Sequence, residues 1–264
     1  MSVSLVWYLL KHDHGRRLPV LTLWTACGFG VLAVVLAFIL SAFLLPQQFA
    51  TTPNSLPITK LLPYSLLVGV IEESAKFIPL AVFVYHRKYF KEHTDGIIYF
   101  AICGLTFGLI ENILYTVQFG AGVGLGRMLL TPFFHAATTA IIGYYLVSMK
   151  ITQNKIKFII SFLLIIIMHG LYDFGLMSQI DILSVASIMI TLLLTMGIFL
   201  YFMQANDLDK ADRSNNANYC TSCGLANTTH NNFCEKCGQM LQFNHIKLKE
   251  KQKYYDMPKL QSRG

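Results

Sequence analysis

The chain has 264 residues, of which 54% are hydrophobic and only 13% charged, and its mean hydropathy is +0.51. A soluble domain carries nearer ~25% charged residues, so a soluble globule is excluded and a polytopic membrane protein with a polar tail is indicated. The net charge is +7, but the basic residues flank apolar runs or lie in the tail, so the charge reports topology and no nucleic-acid partner is expected.

Val3–Leu10 is apolar and precedes Lys11, Arg16 and Arg17. That is the reverse of the order in a cleavable signal peptide, and the segment is expected on the membrane surface with Trp7 and Tyr8 at the interface. Six apolar runs follow, at about 18–45, 61–85, 96–119, 128–148, 156–177 and 180–203, each near the ~20 residues that cross a bilayer. Basic residues gather in alternate connections. Lys11, Arg16 and Arg17 precede the first run, Arg87, Lys88 and Lys91 follow the second, Lys150, Lys155 and Lys157 follow the fourth, and Lys210 and Arg213 follow the sixth. The other connections hold only Lys60 and Arg127. The positive-inside rule then predicts six spanning helices with both termini in the cytoplasm. Gly120, Gly122, Gly124 and Gly126 fall in an outside connection read as a flexible loop or gate, since no strand precedes them to make a phosphate loop.

The second run holds Glu72, Glu73 and Lys76 near mid-membrane. A charge there costs roughly 2.5–3.5 kcal/mol on insertion scales, so three on one helix need a reason. Helical spacing lets Lys76 pair with either glutamate. Adjacent glutamates diverge by about 100°, so the two serve different tasks. A buried ion pair that locks helix packing is the plain structural reading; a polar site is the functional one. The third run carries Gly104 and Gly108, a spacing that lets helices approach closely, then Phe107 and Glu111 on one stripe. The fourth carries His135, and the fifth carries His169 and Asp173 on one face. Taken singly, Glu111 reads as a packing partner of Asn112, His135 as a hydrogen-bonded core histidine, and His169–Asp173 as a local pair. Depth argues for joint action. At 1.5 Å per residue, Glu72 lies about 16 Å from its outer helix end, Glu111 and His169 about 12 Å, His135 about 10 Å and Asp173 about 6 Å. Residues packing independently would scatter, whereas these share one slab of the outer half-membrane.

Cys27 and Cys103 lie in apolar runs and read as core residues. The stretch 204–218 reads as a linker. Cys220, Cys223, Cys234 and Cys237 then form two Cys-x-x-Cys-Gly knuckles, which predict a small cytoplasmic zinc ribbon over 219–240 with one structural Zn²⁺. A redox dithiol or a disulfide pair fits a reducing cytoplasm less well. Residues 241–264 are basic and expected to be disordered.

Glu72-Glu73-Ser74-Ala75-Lys76, Phe107-Gly108-Leu109-Ile110-Glu111, the single His135 and His169-Gly170-Leu171-Tyr172-Asp173 resemble, in order and helix placement, the motifs of PrsW-type intramembrane proteases, relatives of the CAAX prenyl endopeptidases. Glu111 stands where some relatives carry histidine. The resemblance covers about 61–177 and implies a bacterial plasma-membrane endopeptidase in residues 1–203. It would cleave a membrane-anchored protein, such as an anti-sigma factor, with glutamate-activated water. The implied catalytic residues are Glu72, Glu73, Glu111, His135, His169 and Asp173. Either Glu72 or Glu73 is the base, and the reaction runs without a metal or with a zinc ion held by Glu111, His135 and His169. The zinc ribbon is then an appendage with a cytoplasmic protein partner. An ion- or proton-coupled transporter and a catalytically silent scaffold or sensor remain the alternatives. The fold expected is an all-α polytopic membrane protein with the small ribbon appended.

Overall fold

The computed structural model describes residues 2–13, 20–45, 56–87, 90–128, 130–215, 217–220, 222, 226–228 and 233–241. Its elements are α1 (Ser2–His12), α2 (Val20–Leu44), α3 (Ile58–Phe83), α4 (His93–Phe119), α5 (Ala121–Met128), α6 (Thr131–Thr152), α7 (Lys155–Met177), α8 (Asp181–Asn215), β1 (Ala217–Tyr219) and β2 (Ala226–Thr228). They fall into two compact units, Met1–Asp209 and Lys210–Gly264.

All six apolar runs become long helices, and the membrane unit is all-α. By length and composition four of them can cross a membrane, and a fifth forms when α5 and α6, bent by 43°, count as one span. Helix α3 has 26 residues, but Lys60, Glu72, Glu73 and Lys76 lower its hydropathy. It is not among those candidate spans.

The helices meet as two tight antiparallel pairs. In α4–α6, Gly96 and Gly143 face each other so closely that a β-carbon on either would strike the other's carbonyl oxygen. Gly104 lies against the His135 carbonyl, and a β-carbon at Gly108 would come 2.7 Å from the His135 ring. In α3–α7, a β-carbon at Gly69 would lie 2.8 Å from the Ile166 oxygen, and one at Gly170 would lie 2.7 Å from Leu66 Cα. Small residues permit this backbone approach in a bilayer, where hydrophobic association between helices is weak. Helix α2 lies across both pairs. A β-carbon at its Gly30 would come 2.6 Å from Thr106 of α4, and its Ala33 and Ala37 pack with Ile71 and Ala75 of α3.

Three sequence expectations change here. Residues 120–126 are no loop: α5 is helical because Asn112 Nδ2 donates to the Gly124 carbonyl at 3.2 Å and the bare face of Gly124 rests on Thr116. Only Gly120, with φ 91°, needs left-handed backbone there. Helix α1 is more than a surface segment, since Leu5 and Leu9 are buried and Tyr8 packs edge-on to Phe199 of α8 at 5.2 Å; Trp7 stays exposed. The stretch read as a linker from 204 is helical to Asn215. Its polar residues have tertiary work: Asn206 Nδ2 donates to the His12 carbonyl at 3.2 Å, and Asp209 accepts from the His93 and Thr94 amides, both at 2.9 Å, capping α4.

In the second unit β1 and β2 pair antiparallel, with Ala217 opposite Thr228 and Tyr219 opposite Ala226. Cys220, Cys234 and Leu241 are buried together. Cys223, Gly224, His230, His245 and the basic residues 242–264 lie outside the described residues, as do Pro46 and Pro53.

The glycine seams make a prediction. Gly104→Ala forces a methyl onto the His135 carbonyl, and overpacking of this kind costs about 1–3 kcal/mol. The purified protein should melt several degrees lower, while Gly28→Ala, with nothing within 4 Å of a new β-carbon, should melt like the parent. Equal melting of the two variants would show that the seam gives way.

Candidate active site

The two helix pairs bury a polar cluster between them. Helix α3 supplies Glu72, Glu73 and Lys76, α7 supplies His169 and Asp173, α4 supplies Glu111, and α6 supplies His135 and Thr138. All six residues expected to be catalytic are therefore in one place, as their common depth predicted.

Glu73 is the hub. Its side chain is fully buried, and its Oε1 accepts from His169 Nδ1 at 2.6 Å, Lys76 Nζ at 3.0 Å and Thr138 Oγ1 at 3.2 Å. The bond to Glu73 Oε1 places a proton on Nδ1 and turns Nε2 of His169 towards two further carboxylates. That nitrogen lies 3.5 Å from both Glu72 Oε2 and Asp173 Oδ2. Glu72 Oε2 is 3.6 Å from Lys76 Nζ and, although buried, has no hydrogen-bond partner among the described residues. Each glutamate keeps one buried oxygen without a hydrogen-bond partner among the described residues, and what divides them is enclosure: the Glu73 side chain is wholly buried under three donors, whereas that of Glu72 is 14% exposed and meets its cations only at 3.5–3.6 Å.

His135 lies between charges. Lys76 Nζ is 2.8 Å from its Nδ1, and Glu111 Oε2 is 2.7 Å from its Nε2. An ammonium can only donate, so Nδ1 accepts and Nε2–H donates to Glu111. The other oxygen of Glu111 accepts from Arg127 Nη2 at 2.7 Å. Glu111 does not bond Asn112, whose amide goes to Gly124. Phe107 lies 4.3 Å beneath the Lys76 ammonium and 5.1 Å from the His135 ring, a cation–π seat for a buried charge. Phe134 meets His169 edge-on at 5.2 Å and stacks on Tyr172 at 3.9 Å.

Sequence reading missed Thr138 and Arg127 as members of the cluster. Thr138 is three residues past His135, on the same helical face, and that spacing could have signalled it. Arg127 gave no such signal, because α5 was hidden among glycines.

A metal fits these residues on one condition, that it takes the Nδ1 lone pair of His135 from Lys76. The donor atoms of Glu72, His135 and His169 all lie within 4.8 Å of one another, a His₂-carboxylate set of the kind that holds catalytic zinc. Glu73 backs His169 as an outer-shell carboxylate backs a ligating imidazole. Among the described residues, four carboxyl groups face one ammonium and one guanidinium, a surplus of negative charge that suits a divalent cation. Glu111, expected as a ligand, is instead shared between Arg127 and His135.

In the second unit, the sulfurs of Cys220, Cys234 and Cys237 lie within 4.8 Å of one another. Cys220 and Cys237 are 3.6 Å apart. That is far beyond a disulfide bond and near the ~3.8 Å edge of a tetrahedron with Zn–S of about 2.3 Å. Gly238, with φ 69°, donates its amide to the Cys234 carbonyl at 2.9 Å, a turn that favours glycine.

Comparison with known proteins agrees with this arrangement. The profile of a family described as PrsW family intramembrane metalloprotease matches residues 18–203. Protease PrsW of Geobacillus kaustophilus is 30% identical over 180 residues, 67% of this chain and 77% of that protein. Protease PrsW of Bacillus subtilis is 34% identical over 146 residues, 54% of this chain and 64% of that one. Protease PrsW of Halalkalibacterium halodurans is 30% identical over 171 residues, 64% of this chain and 76% of that protein. No solved structure matches. The matched span contains every helix that contributes to the polar cluster, and on that match the chain belongs to the PrsW family of intramembrane proteases.

Proposed function

We propose that Glu72 is the general base of this intramembrane protease and Glu73 its principal positioning residue. The exposed edge of the Glu72 side chain, 14% accessible where Glu73 is wholly enclosed, carries this reading. Glu72 takes a proton from the attacking water, the hydroxide adds to the scissile carbonyl, and Glu72 returns the proton to the leaving amine. The Lys76 ammonium supplies positive charge to the developing oxyanion, and His135, whose Nε2–H is held by Glu111, keeps that ammonium in place through Nδ1. Glu73 keeps His169 in one tautomer, and Asp173 flanks the same ring. A zinc ion held by Glu72, His135 and His169 would lower the pKa of its bound water and polarise the carbonyl. With Glu72 as a ligand, Asp173 is the proton acceptor.

The substrate is a membrane-anchored protein cut in the outer half of the bilayer, with a regulatory protein such as an anti-sigma factor as the chemical type. The chain spans the bacterial plasma membrane six times with both termini in the cytoplasm. This rests on the lysine and arginine asymmetry and on α3 carrying the site between the helix pairs. Residues 219–240 are a zinc ribbon, with Cys223 as fourth ligand, that binds a cytoplasmic protein partner.

Three outcomes are expected. Glu72→Gln should fold and lose about 10²–10⁴-fold in cleavage of a co-reconstituted single-pass substrate, the range of general-base help. Glu73→Gln leaves Lys76 poorly compensated and His169 loose, so it should also lose thermal stability; breaking a buried pair costs about 3–5 kcal/mol. A Glu72→Gln protein that cleaves like the parent would remove the base from this position. Second, the purified full chain should lose one zinc per molecule when it is shortened to end at Asn215. Zinc that persists after the shortening belongs to Glu72, His135 and His169, and chelation should then abolish cleavage until zinc is restored. A shortened chain with undiminished zinc would refute the ribbon. Third, a tag after Gly264 should resist protease added outside intact cells; its digestion would invert the topology.

A further inference from the structure

Arg127 belongs to no motif, yet it is built into the site. Its Nη2 donates to Glu111 Oε1 at 2.7 Å, and the other oxygen of that carboxylate holds His135. One face of the guanidinium lies over the Tyr115 ring at 3.8 Å. Helix α5 sets it in place: the Gly124 face rests on Thr116, and Asn112 holds the Gly124 carbonyl. With those contacts made, the Nε–H is buried and meets no acceptor among the described residues. A buried donor without an acceptor is costly and needs an explanation.

We propose that Arg127 is a substrate-binding residue of the protease site, clamping Glu111 with Nη2 and donating Nε–H to a backbone carbonyl of the peptide being cut. The proposal rests on the reading of the cluster as the active site. A peptide unwound for cleavage in a bilayer exposes carbonyls that hydrocarbon cannot satisfy. A protease acting there must supply donors, and this donor is unused. Guanidinium suits the double task because its donors are fixed in a planar fork: one edge can serve a carboxylate while Nε serves a second acceptor. Lysine could keep the bond to Glu111 but has no rigid second donor. The ligand is thus the main chain of an extended membrane peptide, whatever its side chains.

The test compares Arg127→Lys, Arg127→Gln and Arg127→Ala in the full chain, reconstituted in phosphatidylethanolamine–phosphatidylglycerol vesicles. The probes are a panel of fluorescent single-pass peptides. Turnover is read in the otherwise unaltered protein, and binding is read by energy transfer in a Glu72→Gln background. Arg127→Lys should melt close to the parent, raise KM and weaken binding about 10-fold or more, the scale of a hydrogen bond from a charged donor, with a smaller change in kcat. Parental KM and binding in Arg127→Lys would reduce Arg127 to a counter-ion of Glu111 and overturn the proposal. A fall in kcat alone would do the same, by making Arg127 a positioning residue that acts through His135. If Arg127→Ala does not fold, the lysine and glutamine variants decide. Loss of binding in Arg127→Lys while Glu72→Gln still cleaves would sustain Arg127 and reject Glu72 as base. Failure of every peptide to bind the Glu72→Gln protein would instead defeat the protease reading of the cluster.

Discussion

A carboxylate wholly surrounded by membrane protein must be satisfied by that protein, and Glu73 is where this constraint falls. Three donors from three helices converge on one of its oxygens: Lys76 from its own turn of α3, His169 from α7 and Thr138 from α6. Each bond does a second job. The first positions an ammonium between Glu73 and His135, the second orients an imidazole, and the third ties α6 to α3. Without the hub, Lys76 would keep His135 but have only the longer contact to Glu72 as a counter-ion, and His169 would lose the acceptor that holds its Nδ1 proton. The polar cluster is therefore a single electrostatic unit in a medium where water cannot repair a missing partner.

That unit also explains why two neighbouring glutamates are needed. Their side chains leave α3 about 100° apart. One turns inward to the three donors, and the other stays at the margin, where a water molecule can reach it. A single carboxylate asked to do both would be sealed in by its own donors, out of reach of that water. Family membership fixes the chemistry as proteolysis, and the division between Glu72 and Glu73 is how this chain's own packing distributes the work.

Much of this was legible before any coordinates. Charges in apolar runs are conspicuous, and helical spacing alone joined Glu72 to Lys76 and His169 to Asp173. Comparing depths placed all six expected residues in one layer, and the structure brings them together. What escaped depended on packing between helices. Which glutamate faces inward is decided by where α6 and α7 lie, which no local pattern records. Helix α5 was obscured because four glycines imitate a loop, and only Thr116 and Asn112 make it helical, so Arg127 was lost with it. The polar end of α8 looked like a linker because Asn206 and Asp209 are hydrophilic. Their partners, the His12 carbonyl and the α4 amides, are far away in sequence.

The glycine seams bear on how a guest chain could be admitted. Within α4–α6 and within α3–α7 the backbones touch, so neither pair can part to receive another helix without losing its closest contacts. The cluster lies between the pairs, and among its ties from one pair to the other are Lys76 to His135 and Thr138 to Glu73. The seam between the pairs also carries the Phe134–Tyr172 stack and the bond from Thr131 to Tyr172, and α2 straddles it. A guest strand therefore meets a joint that is part polar and part aromatic, and its carbonyls could replace only the polar part.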